Sequence, residues 1–164
     1  MAGPYYGKYR GTVKSNVDPK QLGRVQVSVP EVYGEGRAWA EHCVPYAGRG
    51  VGFIAIPAVG TPVWVEFEHG DSDFPILVGS MWGPRDAPPS RTPGVKVWET
   101  DAIAITLSDI DGKGGLTIEV GSPAVQTPMR LAMTSSGIEL TVGSSSVVLT
   151  PTSVSINDGA LEVT

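Results

Sequence analysis

The chain has 164 residues, 41% of them hydrophobic, which suffices for one ordinary domain or two small ones. Its 21 glycines and 14 prolines interrupt the apolar runs, which argues against a mainly helical protein. There is no apolar run of about 18 residues and no basic-then-apolar N-terminus, so the sequence gives no sign of a membrane span or a cleaved secretory signal. The formal net charge of −5 argues against nucleic-acid binding, which needs a basic surface.

The first part of the chain predicts five or six short strands separated by turns. A turn-rich loop at 16–23 follows the first strand, and Val25, Val27 and Val29 share one face of the second. Because a closed sheet leaves few open edges, we predict a small barrel such as an OB-fold. No stretch predicts a convincing helix. The predicted strands are 9–14, 21–29, 38–44, 51–56, 62–68 and 76–81.

A hairpin within residues 52–82 is the clearest signal. Its first strand alternates with period two, so that Val63, Val65 and Phe67 share one face. Residues 69–73 form a polar turn rich in Asp and Gly, and 75–82 return as the second strand. This pattern predicts an antiparallel strand pair with one buried face.

A single cysteine, Cys43, excludes an intrachain disulfide. It falls in a predicted strand, where a free cysteine is most often a small apolar core residue, and we predict that it is buried. His42 precedes it, but neighbouring residues point to opposite faces of a strand. The two residues therefore do not predict a nucleophile with its base.

An acidic cluster surrounds His69 in the hairpin turn. Carboxylates gathered in this way could bind a metal ion or act as a pair in glycoside hydrolysis. Asp and Gly are also the ordinary residues of a solvated turn, and the sequence gives no sign of a cleft. We therefore predict no catalytic, cofactor-binding or metal site. The cluster consists of Glu66, Glu68, Asp71 and Asp73.

Charge and aromatic content divide the chain into two parts. Residues 1–94 carry nine basic and nine acidic residues, whereas 95–164 carry three and eight, so the whole excess of −5 lies in the second part. Eleven of the twelve aromatic residues precede residue 95. Four prolines between the two parts indicate a stiff, extended connector. We predict a barrel at 1–83, a proline-rich linker at 84–94 and a second unit at 95–164.

The second unit predicts short strands that cannot form a stable core alone. Each strand offers two or three apolar side chains, worth roughly 1.5–3 kcal/mol each when fully buried. Backbone ordering costs about 1–2 kcal/mol per residue, so association of identical chains is favoured. We predict a homotrimeric β-prism or intertwined β-helix; the alternatives are a monomeric β-solenoid and a second sandwich. The predicted trimer core is Ile138, Leu140, Val142, Val147, Leu149, Val154 and Ile156.

Several motifs resemble one known family. The stretch 6–34 (YGKYRGTVKSNVDPKQLGRVQVSVPEVYG), the strand 63–68 (VWVEFE), Gly70-Asp71 and 75–79 (PILVG) occur in the order found in spike proteins of contractile injection machines. That group includes phage baseplate assembly protein V and the VgrG proteins of type VI secretion. The resemblance covers residues 6–83. It implies an all-β chain with an N-terminal OB-fold barrel and a C-terminal intertwined trimeric needle.

The resemblance also implies which partners the chain has and which parts it lacks. The linker leaves no room for the lysozyme domain of the T-even spike, and only eight residues precede the first strand, so we expect a separate baseplate hub or tube-initiator protein. His42 and His69 are the only histidines, so no His-x-His iron site forms at the tip. We expect instead a PAAR-like tip protein. Its predicted contacts are Leu161, Val163 and Thr164.

Three tyrosines near the N-terminus predict the hub contact. Tyrosine is enriched at protein interfaces, and basic residues lie close by in the sequence. A basic groove for nucleic acid is the alternative interpretation of the same segment. The predicted hub contacts are Tyr5, Tyr6 and Tyr9.

These observations together predict a structural spike, not an enzyme. We expect a homotrimer that is assembled in the bacterial cytoplasm, becomes part of a phage tail or tail-like particle, and touches the target membrane transiently as it pierces the envelope. No cofactor and no nucleic-acid partner is expected. The alternatives are an OB-fold protein that binds single-stranded nucleic acid or glycan, and a cell-wall hydrolase, for which the sequence offers no catalytic constellation.

Overall fold

A computed structural model describes residues 4–84, 86–87 and 92–163, and it divides the chain into two compact units, Met1–Ala87 and Pro88–Thr164. Residues 85 and 88–91 of the predicted linker lie outside the described residues. Nowhere in the described ranges is a helix both long and apolar enough to cross a membrane.

The N-terminal unit is built around a closed five-stranded barrel. Its strand order is β1-β2-β3-β7-β6, with β6 pairing back to β1, and only β3 and β7 run parallel. A two-stranded sheet of β4 and β5 lies outside the barrel. The strands are β1 (Tyr9–Ser15), β2 (Val25–Ser28), β3 (Ala38–His42), β4 (Ala47–Gly48), β5 (Val51–Gly52), β6 (Pro62–Phe67) and β7 (Pro75–Ser80).

The barrel core follows the period-two alternation. Val63, Val65 and Phe67 are buried in β6, which then pairs antiparallel with β7 across the polar turn, as the hairpin pattern predicted. Gly11 also faces inward, where an added Cβ would lie 3.1 Å from the Ser28 carbonyl oxygen. The remaining buried members of this core are Val13, Val25, Val27, Val29, Ala40 and Leu77.

Two helical turns interrupt the all-β pattern of this unit. A four-residue helix, α1, spans Pro30–Tyr33 and begins with a proline, whose missing N–H costs nothing at that position. A 3-10 turn spans Glu68–Gly70 in the β6–β7 connection. Neither turn reaches the length that an apolar period of 3.6 residues makes recognisable.

Two expectations about the segment after β3 are wrong. Cys43 is exposed: Ala40 points into the barrel, so alternation turns residue 43 outward, and β3 ends at His42. The strand expected at 51–56 is only two residues long and pairs with Ala47–Gly48. Residues 53–56 are exposed, so no core fixes them in an extended strand.

The C-terminal unit is one antiparallel sheet in which each strand pairs with its neighbours in sequence, from β8 to β15. Short turns connect the strands. The strands are β8 (Val95–Glu99), β9 (Ile103–Ser108), β10 (Gly115–Val120), β11 (Met129–Thr134), β12 (Gly137–Val142), β13 (Ser145–Leu149), β14 (Val154–Ile156) and β15 (Leu161–Val163).

Candidate functional site

The C-terminal sheet has one apolar face. Between β12 and β13, Ile138 lies opposite Leu149 and Leu140 opposite Val147. Leu140 also lies opposite Leu131 of β11, the other neighbour of β12. Because directly paired residues project from the same face, the register carries this pattern across the whole sheet. The apolar face consists of Trp98, Ile103, Ile105, Leu107, Leu116, Ile118, Val120, Met129, Leu131, Met133, Ile138, Leu140, Val142, Val147, Leu149, Val154, Ile156 and Leu161.

A single chain leaves this face uncovered. Leu140 is 47% exposed, and Ile138, Val142, Leu149 and Val154 are exposed as well. The one hydrophobic residue buried among the described positions of this unit is Ala132, which lies on the opposite face. A continuous apolar face of this extent marks an association surface.

All seven residues predicted for the trimer core lie on the apolar face. Residues of β8–β11, which the predicted core does not include, lie on the same face. The sequence shows the alternation of Leu116, Ile118 and Val120. Only the pairing of β10 with β11, and of β11 with β12, shows that these side chains lie on the same face as those of β12. The candidate association surface therefore involves all eight strands.

The opposite face of the sheet carries charge. Arg130 in β11 lies between two carboxylates, with its Nε 3.5 Å from Glu119 Oε1 and its Nη1 2.9 Å from Glu139 Oε2. The Lys96–Asp109 pair is not part of this charged face, because Lys96 lies opposite Leu107 and so projects from the apolar face at the β8 edge. Solvent-exposed pairs of this kind contribute at most about 1 kcal/mol each, so their main effect is to favour one strand register and to keep this face in water.

The predicted hub tyrosines differ in their surroundings. Tyr5 and Tyr9 pack around Phe67, with ring centroids 5.8 and 5.4 Å from it, and Tyr33 approaches the same ring at 5.9 Å. Tyr6 is 70% exposed. Tyr5 and Tyr9 thus close one end of the barrel, while Tyr6 presents its ring to solvent.

Tyr33 is held by the β6–β7 connection. Its hydroxyl donates to the Ser72 carbonyl oxygen. Burial, together with the nearby carboxylates of Asp73 and Asp71, raises the pKa of this phenol to about 12. The aromatic end of the barrel is therefore fixed by packing and by this hydrogen bond.

The acidic turn forms ordinary turn contacts. Asp71 Oδ1 accepts a hydrogen bond from the Asp73 amide at 3.0 Å, Lys8 pairs with Glu66, and His69 Nε2 lies 3.9 Å from Glu68 Oε1. Among the residues that the structure describes, no group of three or more His, Cys, Asp or Glu side chains could hold a metal ion. The arrangement is that of a solvated turn.

A partly buried ion pair that the sequence did not predict orders the loop between β1 and β2. The Asp18 side chain is 3% exposed and accepts from the Arg24 guanidinium at 2.8 and 3.1 Å. The amides of Lys20 and Leu22 also donate to it, at 3.0 and 2.9 Å. The Arg24 guanidinium holds the pKa of the Asp18 carboxyl well below its usual range. An Asp and an Arg six residues apart in the sequence do not predict an ion pair, because their contact depends on how the loop folds back.

The predicted tip contacts lie at the last strand. β15 pairs with β14 and forms one edge of the sheet, and Leu161 is exposed there. Thr164 lies outside the described residues, and for Val163 the structure gives the backbone pairing with Val154. The edge and Leu161 are therefore the described parts of this predicted contact.

Two family models match the chain, one for each unit. Residues 9–82 match the "Type VI secretion system/phage-baseplate injector OB domain", and residues 95–162 match the "Phage baseplate V C-terminal trimerisation domain". A barrel followed by a trimerising one-sided sheet defines a structural spike of phage-tail-like particles. The chain belongs to the family of VgrG-like baseplate spike proteins, which confirms the resemblance, the all-β fold class and the homotrimer.

Curated relatives support the same family. The actin cross-linking toxin VgrG1 of Vibrio cholerae is 33% identical over 96 residues, which is 56% of this chain and 9% of the relative. The type VI secretion system spike protein VgrG2a of Pseudomonas aeruginosa is 31% identical over 104 residues, which is 60% of this chain and 12% of the relative. The chain thus spans about a tenth of the length of these relatives.

Proposed function

We propose that three copies of this chain form the central spike of a contractile tail-like injection machine, with the barrels at the baseplate hub and the C-terminal sheets forming a needle that pierces the target envelope. The observation that carries the proposal is the apolar face, which runs through all eight strands of a unit matched as a trimerisation domain. The proposed unit organisation is a barrel at 1–83, a linker at 84–94 and a needle at 95–164.

The apolar face explains how such a needle would resist load. When three sheets bury it against one another, each strand shares its core with two other chains. Force along the needle then acts on many backbone hydrogen bonds and on one common core, which must fail together. This role needs stiffness and no turnover, and the charged face with Arg130, Glu119 and Glu139 remains available to water.

We propose one partner for each of the two predicted contact surfaces. We propose that Tyr6, with the barrel end closed by Tyr5 and Tyr9, contacts the hub or tube-initiator protein. At the other end, the edge of β15 with Leu161 receives a PAAR-like tip protein, because an open strand edge offers unpaired backbone groups. Assembly would take place in the bacterial cytoplasm, before the finished particle meets a target envelope.

The test compares particles made with the native chain and with a variant that cannot trimerise. Leu140→Asp places a carboxylate on the apolar face, and Ser136→Asp places one in an exposed turn as the matched control. Electron microscopy counts sheathed particles with a complete baseplate, and dye uptake measures permeabilisation of target cells. The expected result is loss of both with Leu140→Asp alone. Intact, permeabilising particles with that variant would contradict the proposal.

A further inference from the structure

A groove opens at the end of the barrel where β1 finishes. The loop after β1, the β4–β5 hairpin and residues 53–55 form its walls, and it encloses about 940 Å³. The aromatic end described above lies where β1 begins, at Tyr9, so the groove is at the opposite end of the barrel. None of the predicted hub or tip residues lines it.

Large apolar side chains line the groove and remain exposed. Ile54 is 74% exposed and Leu22 67%, and Tyr46 and Val51 are also more than half exposed. A single exposed hydrophobic residue is ordinary, but four around one concavity form a patch of the kind that marks an interaction site.

The groove is preformed in the single chain. Asp18 fixes the loop wall through the Arg24 guanidinium and the loop amides. Asn16 Nδ2 donates to the Pro57 carbonyl oxygen at 3.2 Å, which ties the same loop to the segment that follows residues 53–55. A preformed concavity loses little conformational entropy on binding, so it favours recognition of a defined shape.

The groove end is positively charged in an acidic protein. Residues 14–24 and 41–60 carry four basic residues and two acidic ones, a net charge of +2, which leaves −7 on the rest of the chain. Lys20 and Arg49 are exposed, and neither makes an ion pair with a described carboxylate. The surface therefore favours a partner that carries negative charge.

One polar atom in the wall lacks a partner. His42 lines the groove, and its Nε2 is buried with no hydrogen-bond partner among the described residues. Burial lowers the pKa of this imidazole, which favours its neutral form. Buried polar atoms in proteins are normally satisfied, and an internal water is the natural partner of a nitrogen that has no exposed surface.

We propose that this groove is a protein-docking site that receives a segment of a partner protein with an apolar side chain flanked by carboxylates. The apolar side chain would fill the concavity beside Ile54 and Leu22, and the carboxylates would meet Lys20 and Arg49. The partner would be another protein of the particle. Only this identification of the partner rests on the proposed function.

Single-stranded nucleic acid fits this end less well. Bases stack on aromatic rings, of which the lining has two, Tyr46 and Phe53. Phosphates, however, need a continuous basic track, and the one Lys or Arg in the lining, Arg24, is already paired with Asp18. Trp39, the nearby ring on β3, already has the Arg24 guanidinium 5.6 Å from its centroid. The apolar lining together with two exposed cations thus favours an acidic, apolar protein segment.

The first experiment uses the full chain and two fluorescein-labelled peptides, Gly-Glu-Leu-Phe-Glu-Gly and its counterpart with both glutamates replaced by lysine. Fluorescence anisotropy is expected to show at least about tenfold tighter binding of the glutamate peptide, since the rim charges then attract instead of repelling. Ile54→Asp should weaken that binding by about tenfold or more, and the pair Lys20→Glu and Arg49→Glu by a similar factor at low salt.

The matched control is Phe74→Asp, which places the same charge at a residue that is 58% exposed in the connection at the aromatic end. It should leave peptide binding within about twofold of the native value, because single surface substitutions far from a site are nearly neutral. Equal binding of both peptides, no loss with Ile54→Asp, or displacement of the peptide by oligothymidine would each overturn the docking site.

The second experiment separates this site from the spike proposal. Ile54→Asp is expected to remain a trimer by light scattering, since it lies in the N-terminal unit, and yet to be missing from purified particles, whereas Ser136→Asp, in an exposed turn of the C-terminal unit, is incorporated. Normal incorporation of trimeric Ile54→Asp would overturn the groove as a docking site and leave the spike intact. A native chain that is not trimeric would contradict the spike proposal without affecting peptide binding.

Discussion

Leu140→Asp gives the sharpest test of the apolar face. Leu140 is 47% exposed in the single chain, so trimerisation buries about half of its side chain, worth about 1 kcal/mol per copy. The substitution removes this burial energy in each of the three copies. It also places three carboxylates in a shared apolar core. Burying each ion costs several kcal/mol even after relaxation, so the trimer is destabilised by on the order of 10 kcal/mol.

Sedimentation equilibrium at pH 8 measures the outcome. The native chain should have three times the 17.2 kDa mass of one chain, and the variant should have the single-chain mass at micromolar concentration. The matched control is Thr141→Asp, one residue away on the charged face, where the paired residue is Arg130; it should stay trimeric. A trimeric Leu140→Asp variant would show that this face does not form the trimer core.

Two further predictions concern the barrel. Asp18 has a pKa below its unfolded value, so its ion pair contributes stability above about pH 4 that is lost as the pH falls towards the folded pKa. Thermal melts of the native chain and Asp18→Asn should therefore differ most at pH 7, and the difference should shrink progressively as the pH falls below about 4; a constant difference would contradict the ion-pair assignment. Tyr9→Ala removes a ring packed on Phe67 and should cost about 1–3 kcal/mol in urea unfolding, whereas Tyr6→Ala at an exposed position should change stability by less than about 0.5 kcal/mol. Equal costs would refute the different roles of these two tyrosines.

Regular alternation made much of the fold predictable. The strand at 63–67 and its return at 75–80 follow from period-two burial around Val63 and Val65, and the polar turn between them has ordinary turn chemistry. The seven predicted core positions share one face because the same alternation is kept through β12, β13 and β14. A period of two is a local property, so it can be recognised from one strand at a time.

The features that the sequence did not show depend on how the loops fold and approach one another. The Asp18–Arg24 pair exists because the loop folds back on itself, and the groove exists because residues 53–55 approach that loop. Cys43 was placed wrongly for a related reason. Its exposure depends on where β3 ends and on which alternate residues face the core, and a small apolar side chain gives no sign of either.

The order of the C-terminal sheet has a consequence for its dimensions. Each strand from β8 to β15 pairs only with its neighbours in sequence, so the sheet grows by one spacing of about 4.8 Å for every strand the chain adds. Deleting or duplicating one hairpin changes the length by about 10 Å and preserves the direction of the chain and the alternation of every other strand. The sheet is thus a molecular ruler whose length can be edited two strands at a time without redesigning the rest.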